Sequence, residues 1–486
     1  MFKISISYPP LESKKGVPLL SQNRQFQWFN SPTYIYPMIP AYAATLLKEN
    51  KYEVFWDDGI AEELNYGEWK ERIIKEKPDI IAIETKTPVI KRHWRIINEL
   101  KVESPKSKVV LMGDHVAALP EESMKNSNVD FVIAGGDFDF ILLSIANKLS
   151  GMGNLEGGVW YRDNGKIKNT GLYDLHKHSL DELPMIDREL TKWRLYAYKN
   201  GNFKHTPGSY IMSGRDCWWG RCTFCSWTTM FPGKNWRVRS AEKTLDEVGH
   251  LIGLGVREIM EDSGTLPVGE WLKDFCRGMI ERGYNKKAVI SCNMRINGIK
   301  DLEIWKLMKR AGFRLILFGL ESANQETLDR INKGLRVEEI EPCLKMCKEA
   351  GLEPHITAMM GYPWETKKDA QKTIDLAKKL FKKGYVDTLQ ATIVIPYPGT
   401  SLYEYCQENN LLNFDDYDRF DQREQVMKSE LTTEDVKELT QGLYKSFMTP
   451  KFVIKKIISI RNWNDIKFLW RAGWKVLGHL SDFKKE

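Results

Sequence analysis

The 486-residue chain has no apolar run long enough to span a bilayer. Its first residues, Met1-Phe-Lys-Ile-Ser-Ile-Ser-Tyr-Pro-Pro, show no charged region followed by a long apolar core, so they read as a first strand and not as a signal peptide. Charge is nearly balanced. The formal net charge is +7, and residues 451–486 alone hold nine Lys and Arg against three Asp and Glu. A basic balance of that size does not by itself indicate a nucleic-acid enzyme, and no nucleic-acid partner is expected. No G-x-G-x-x-G follows the first strand, which disfavours a nicotinamide or flavin dinucleotide. Without a secretory signal the eight cysteines are not expected to pair as disulfides, and the cytoplasm is the expected location. With 42% hydrophobic and 28% charged residues, the composition is that of a folded chain of two or three domains.

What is present is a cluster of thiols. Three of the cysteines fall within nine residues, Cys217-Trp-Trp-Gly-Arg-Cys222-Thr-Phe-Cys225. A structural zinc site needs four ligands and normally a second Cys/His pair nearby, and none follows at the usual spacing. Three thiolates suit a [4Fe–4S] cluster whose fourth iron stays open for a small ligand. The cluster is the preferred reading; zinc and coincidental buried thiols are the alternatives. Cys343 and Cys347 stand four apart on an expected helix, where two buried thiols are preferred to a shared metal.

The fold class is α/β. Over residues 1–150, β-branched apolar runs at 3–8, 53–56, 79–83, 108–112 and 129–134 alternate with amphipathic stretches. That alternation predicts a doubly wound, Rossmann-like parallel sheet, whose ligands bind beyond the carboxyl ends of the strands. The segments placed there are Glu84-Thr85-Lys86-Thr87-Pro88, Gly113-Asp114-His115-Val116 and Gly135-Gly136-Asp137. His115 reads either as a metal ligand or as a satisfied loop histidine with Asp114 as its partner. Residues 151–205 read as a connector containing a hairpin with an Asp163-Asn164-Gly165 turn. A second strand–helix alternation over 206–410 predicts an open, partial TIM-like barrel of about six units. The cysteines follow its first strand, at the end of the barrel where chemistry is expected. Asp262, Ser291, Arg295, Glu321 and Tyr362 lie at other strand ends. From about 411 to 486 the tail reads as helical. Trp463, Ile466, Trp470, Trp474 and Leu477 share one face beside a stripe of Lys467, Arg471 and Lys475. A helix packed on the barrel is preferred there to one lying on a membrane.

The cysteine stretch, Trp236-Arg-Val-Arg-Ser240, Gly319-Leu-Glu-Ser through Asn332-Lys-Gly334, Gly361-Tyr-Pro-Trp-Glu-Thr366 and Pro396-Tyr-Pro-Gly-Thr-Ser-Leu-Tyr403 together resemble radical S-adenosylmethionine enzymes. Their order and spacing are similar to the branch with an N-terminal cobalamin-binding domain, which includes the anaerobic magnesium-protoporphyrin ester cyclase. The closest look within it is to hopanoid-associated, lipid-modifying members. The resemblance implies that Cys217, Cys222 and Cys225 hold the cluster and that Phe224 lies against the adenine of S-adenosylmethionine. It gives Ser291, Arg295 and Glu321, with Asp262, to the rest of that cofactor. Thr85, Thr87, Gly113, His115, Val116, Gly136 and Asp137 would line the corrin. Two features depart from the pattern. The first cysteine gap has four residues where three are usual, an excess expected to be absorbed at Gly220. The D-x-H-x-x-G signature is absent because Asp114 and His115 are adjacent, which implies a cobalamin bound without a histidine ligand. The implied activity is hydrogen abstraction by a 5′-deoxyadenosyl radical followed by C-methylation of a small-molecule or lipid substrate, with ferredoxin or flavodoxin as electron donor. Radical ring formation or rearrangement without methyl transfer is the alternative, and a cluster-bearing sensor is a third reading.

Overall fold

The computed structural model describes residues 2–447 apart from 21–25, 202 and 232–235, and beyond them positions 460, 466, 469 and 473. Trp463, Trp470, Trp474, Leu477 and the basic stripe of the tail therefore lie outside the described residues.

Five parallel strands, β1 (Lys3–Tyr8), β2 (Glu53–Asp58), β3 (Ile80–Thr85), β4 (Lys108–Gly113) and β5 (Phe131–Ile133), stand in the order β2-β1-β3-β4-β5. Every residue of β3, Ile-Ile-Ala-Ile-Glu-Thr, is buried, as a strand covered on both faces requires. The order reverses between β1 and β3, so the crevice beyond those carboxyl ends is the expected ligand position. The sheet continues past residue 150 into an antiparallel hairpin, β6 (Val159–Asp163) and β7 (Lys166–Asn169). Asn164 and Gly165 close it with φ of 49° and 79°, the left-handed pair that a two-residue turn needs.

The second sheet contains β8 (Gly208–Ile211), β9 (Glu258–Glu261), β10 (Val289–Met294), β11 (Phe313–Glu321), β12 (Glu353–Met360) and β13 (Thr388–Ile393), all parallel and in chain order. Among the described residues β8 and β13 are not paired, so the barrel is open. Helices between the strands start and stop on local signals. The helix Lys367–Lys383 opens with a Thr366/Asp369 capping box and ends at Gly384 in the left-handed region. The helix Thr433–Phe447 closes the barrel side, with the Tyr444 hydroxyl donating to the Ala391 carbonyl at 3.0 Å. Between 411 and 431, where the tail reading expected helix, the chain is mostly irregular. Its acidic, aperiodic sequence is tied to the first domain by Lys91–Asp416 at 2.7 Å and Lys15–Asp421 at 2.6 Å.

A knot of buried charge holds the two sheets and the connector together. Glu247, on the first barrel helix, accepts from Arg188 of the connector at 2.5 Å and from Arg239 at 2.6 Å. Tyr42, on the first helix of the N-terminal sheet, donates to the same carboxylate at 2.8 Å. All four side chains are buried. Glu247→Gln leaves two buried guanidiniums without a carboxylate and should cost about 3 kcal/mol of unfolding free energy. Urea unfolding followed by fluorescence checks this; a loss below about 0.5 kcal/mol, the level of an ordinary surface change, would contradict it.

Candidate active site

The three cysteines lie in one loop with a closed neck. Gly214–Arg215 pairs antiparallel with Arg237–Val238, so the chain leaves β8, makes the loop and returns to the same place. Within it Gly220 has φ of 54°, which accommodates the four-residue gap after Cys217. Trp219 anchors the loop to the barrel: its indole N–H donates to the Asn332 carbonyl at 2.8 Å. Gly334 faces that ring so closely that a Cβ there would stand 2.1 Å from it. The Arg295 guanidinium lies 4.4 Å from the Trp219 ring and 5.3 Å from Trp218.

Charge converges on Cys222. Burial raises its thiol pKa, while Lys333 and Arg295 oppose the rise and Glu321 and Cys217 reinforce it. Cys225 is pushed up to about 12 by burial and by the other two thiols. Lys333 donates to Glu321 at 2.6 Å with both side chains buried. Burial disfavours the charge on Lys333, but the Glu321 carboxylate and Cys222 outweigh it and hold the ammonium above its usual value. Glu321 itself sits at a bulge ending β11, with φ of 63°. Phe224 is buried with the Lys333 ammonium 6.0 Å from its ring. Three buried polar atoms at this mouth, Arg295 Nε, Trp218 Nε1 and the Tyr362 hydroxyl, have no hydrogen-bond partner among the described residues. Buried polar groups are normally satisfied, so three unsatisfied ones converging on this mouth are donors that a ligand there could engage. Among the described residues no three His, Cys, Asp or Glu side chains stand together as the ligands of one metal ion would. The thiolates of a cubane bind separate irons and need not converge on one point.

On the first domain, the seven residues expected to line a corrin are all buried at the carboxyl ends of β3, β4 and β5. Most already have partners. Thr85 Oγ1 meets His93 Nδ1 at 2.7 Å. His115 meets Thr87 Oγ1 through Nδ1 at 3.2 Å and Glu122 through Nε2 at 3.1 Å, under the Tyr417 ring at 5.0 Å. Both of its ring nitrogens thus have hydrogen-bond partners. Its ring partner is not the expected Asp114, whose carboxylate accepts from the His115 backbone N–H and pairs with Lys86 at 3.0 Å. A Cβ on Gly136 would lie 2.2 Å from the Phe231 ring of the cysteine loop. Asp137 is held by two arginines, Arg215 at 2.8 Å and Arg237 at 2.7 Å. The carboxyl ends of the two sheets therefore meet around the cysteine loop.

Residues 211–377 match the family model of the radical SAM superfamily. An uncharacterized methyltransferase of Pyrococcus horikoshii is 30% identical over 428 residues, 87% of this chain and 90% of that protein. The chain belongs to the radical SAM superfamily. The anaerobic magnesium-protoporphyrin IX monomethyl ester cyclase of Cereibacter sphaeroides is 23% identical over 461 residues, 92% of this chain and 71% of the cyclase. The solved structure of the cobalamin-dependent S-adenosylmethionine radical enzyme OxsB, with aqua-cobalamin and S-adenosylmethionine bound, matches 99% of this chain and 72% of its own. Its TM-score is 0.71 at 16% identity, so this radical SAM chain shares the fold of a doubly wound sheet followed by an open barrel.

Not every expected residue of the radical SAM site reaches the mouth. Ser291 donates to Glu258 at 2.9 Å, on the barrel floor, where Arg314 binds the same oxygen at 3.0 Å through Nε. The barrel thus turns Ser291 away from the cysteines. Asp262 is buried at the end of β9, its backbone N–H donating to Ile211 at 2.8 Å. Lys333 has no role in the sequence analysis, although it lies inside a stretch that carries the resemblance, and Tyr362 appears there only as a strand-end residue.

Glu84, one residue before Thr85, supplies a pH test of this face. It is fully buried, accepts from the Tyr8 hydroxyl, and has Oε1 without a partner among the described residues. Burial pushes its carboxyl up to about 8, against the opposing effects of Tyr8 and Lys86. From about pH 5 to 8 the folded chain therefore keeps a proton that the unfolded chain has released, and stability contributed by Glu84 falls as pH rises. Glu84→Gln removes this dependence. Thermal melts across that window should show the variant gaining on the wild type with rising pH; parallel profiles would contradict the assignment.

Proposed function

We propose that this chain is a cobalamin-dependent radical S-adenosylmethionine enzyme that C-methylates a small-molecule substrate at an unactivated C–H bond. One observation carries the reading: a loop bearing three cysteines sits where the carboxyl ends of the barrel and of the doubly wound sheet meet. The P. horikoshii methyltransferase supports methyl transfer, and the cofactors bound in OxsB support the pair of sites.

Cys217, Cys222 and Cys225 hold the cluster. Lys333 and Arg295 place positive charge beside Cys222, which favours a negatively charged cluster and the carboxylate of S-adenosylmethionine. Arg295 Nε and the Tyr362 hydroxyl are free to donate to that cofactor, and Phe224 offers an apolar face to its adenine. The ends of β3, β4 and β5 would line the corrin, beside a His115 engaged by Thr87 and Glu122. When bound, these groups supply a reductively generated 5′-deoxyadenosyl radical and a methyl group carried on cobalamin. The protein's own part is to bind, orient and exclude water and oxygen. Electrons come from a ferredoxin or flavodoxin. The substrate is a small molecule or a lipid. No helix among the described residues is long and apolar enough to cross a membrane.

Anaerobic, iron-reconstituted protein incubated with hydroxocobalamin and desalted provides the test. A retained Co(II) EPR signal without nitrogen superhyperfine coupling, beside a reduced [4Fe–4S] signal lost in Cys222→Ala, is the expected result. A cluster signal without retained corrin overturns cobalamin-dependent methylation. A product that gains one methylene unit supports methylation, whereas one that gains none supports the ring formation that the cyclase relative represents.

A further inference from the structure

The cysteine loop is gripped from the first domain at two separated points, and both contacts come from one turn. At the neck, Arg215 Nη1 donates to Asp137 at 2.8 Å and to Asp139 at 3.0 Å, and its Nη2 donates to the other Asp139 oxygen. Arg237, the ladder partner of Arg215, spans Asp137 with Nη1 at 2.7 Å and Nη2 at 2.8 Å. Arg215 and both aspartates are buried. On the far side of the loop, Phe231 presses on Gly136 of the same turn and packs edge-on to Trp227 at 5.1 Å. Trp227 in turn donates to the Asp216 carbonyl at 2.8 Å, next to Cys217. Residues 135–139 thus touch the loop before its first cysteine and after its last.

We propose that Arg215, with Asp137 and Asp139, is a positioning link that couples the corrin-facing turn 135–139 to the cluster-bearing loop, so that a change at either site is felt at the other. This rests on the two-cofactor reading above and assigns Asp137 to the link instead of to the corrin. Arg215 is bidentate to Asp139 and shares Nη1 with Asp137. A planar guanidinium held by both carboxylates has one geometry, and a shift of the turn is met by a shift of the neck. The neck is two residues from Cys217, so the movement reaches the thiolates with little slack.

The test changes one side and reads the other. Arg215→Lys, on the barrel side, keeps the charge but cannot span both carboxylates; titration with hydroxocobalamin should show affinity weakened at least about fivefold. Asp139→Asn, on the sheet side, should alter the g-values of the reduced cluster in protein that contains no corrin. Both variants should melt earlier, which a purely structural tie would also produce. Lys48→Met, which breaks the exposed 2.6 Å contact to Asp187, serves as the control and should change neither signal. Wild-type corrin affinity in Arg215→Lys together with an unchanged cluster signal in Asp139→Asn overturns the link, whatever the melting temperatures. If one variant does not fold, the other decides. If the wild type takes up no corrin, the functional reading fails, and the cluster-side measurement still decides whether the turn positions the cysteines.

Discussion

Asp137 and Asp139 place two carboxylates where water does not reach them, and Arg215 and Arg237 place two guanidiniums against them. Burying any one of the four alone would cost several kcal/mol. Together they are neutral and well hydrogen-bonded, but only while the N-terminal sheet and the barrel keep one relative position. The neck of the cysteine loop is made of the same two arginines. The place of the thiols in the molecule is therefore set by the electrostatics of the domain junction as much as by the barrel.

A second knot, around Glu247, repeats this arrangement on the side of the connector. One apolar core runs through both sheets, and where they meet they are joined by charge-assisted hydrogen bonds among Tyr42, Arg188, Arg239 and Glu247. Apolar contact alone is non-directional and would allow the two mouths to slide. Hydrogen bonds to the two oxygens of one carboxylate are directional, and at the other knot Arg237 and Arg215 are each bidentate to one aspartate, which fixes an angle as well as a distance. At the mouth the same principle acts on a smaller scale. Lys333 is clasped by Glu321 yet remains close enough to Cys222 to lower the cost of a thiolate there.

The strands were legible because their signal is local. The run expected at 3–8 coincides with β1, and the other runs expected in the first 150 residues differ from their strands by a few residues at the ends. Gly220 was legible for a similar reason, since an inserted residue in a tight loop calls for a residue tolerant of positive φ. Side-chain destinations were less so. Ser291 and Arg295 are four residues apart on one strand end, yet one engages the floor and the other reaches Cys222. Which depth a side chain serves depends on what stands on neighbouring strands. For Ser291 that is Glu258, which the sequence places only as a buried strand residue. His115 shows the same limit: Glu122 and Tyr417 claim its ring, and Tyr417 is some three hundred residues away in the chain.

By itself the sequence determined the two sheets, the three thiols at the end of the barrel's first strand, and the family. Those depend on periodicity, on ligand number and on contiguous motifs, all of which are properties of the chain as written. Only the tertiary structure decided that Asp137 clasps arginines at the mouth's edge, that Lys333 faces Cys222, and that Thr87 and Glu122 meet the ring of His115. Each of those outcomes is a competition among donors and acceptors distant in sequence. The winner is set by which groups the packed sheets bring within hydrogen-bond reach.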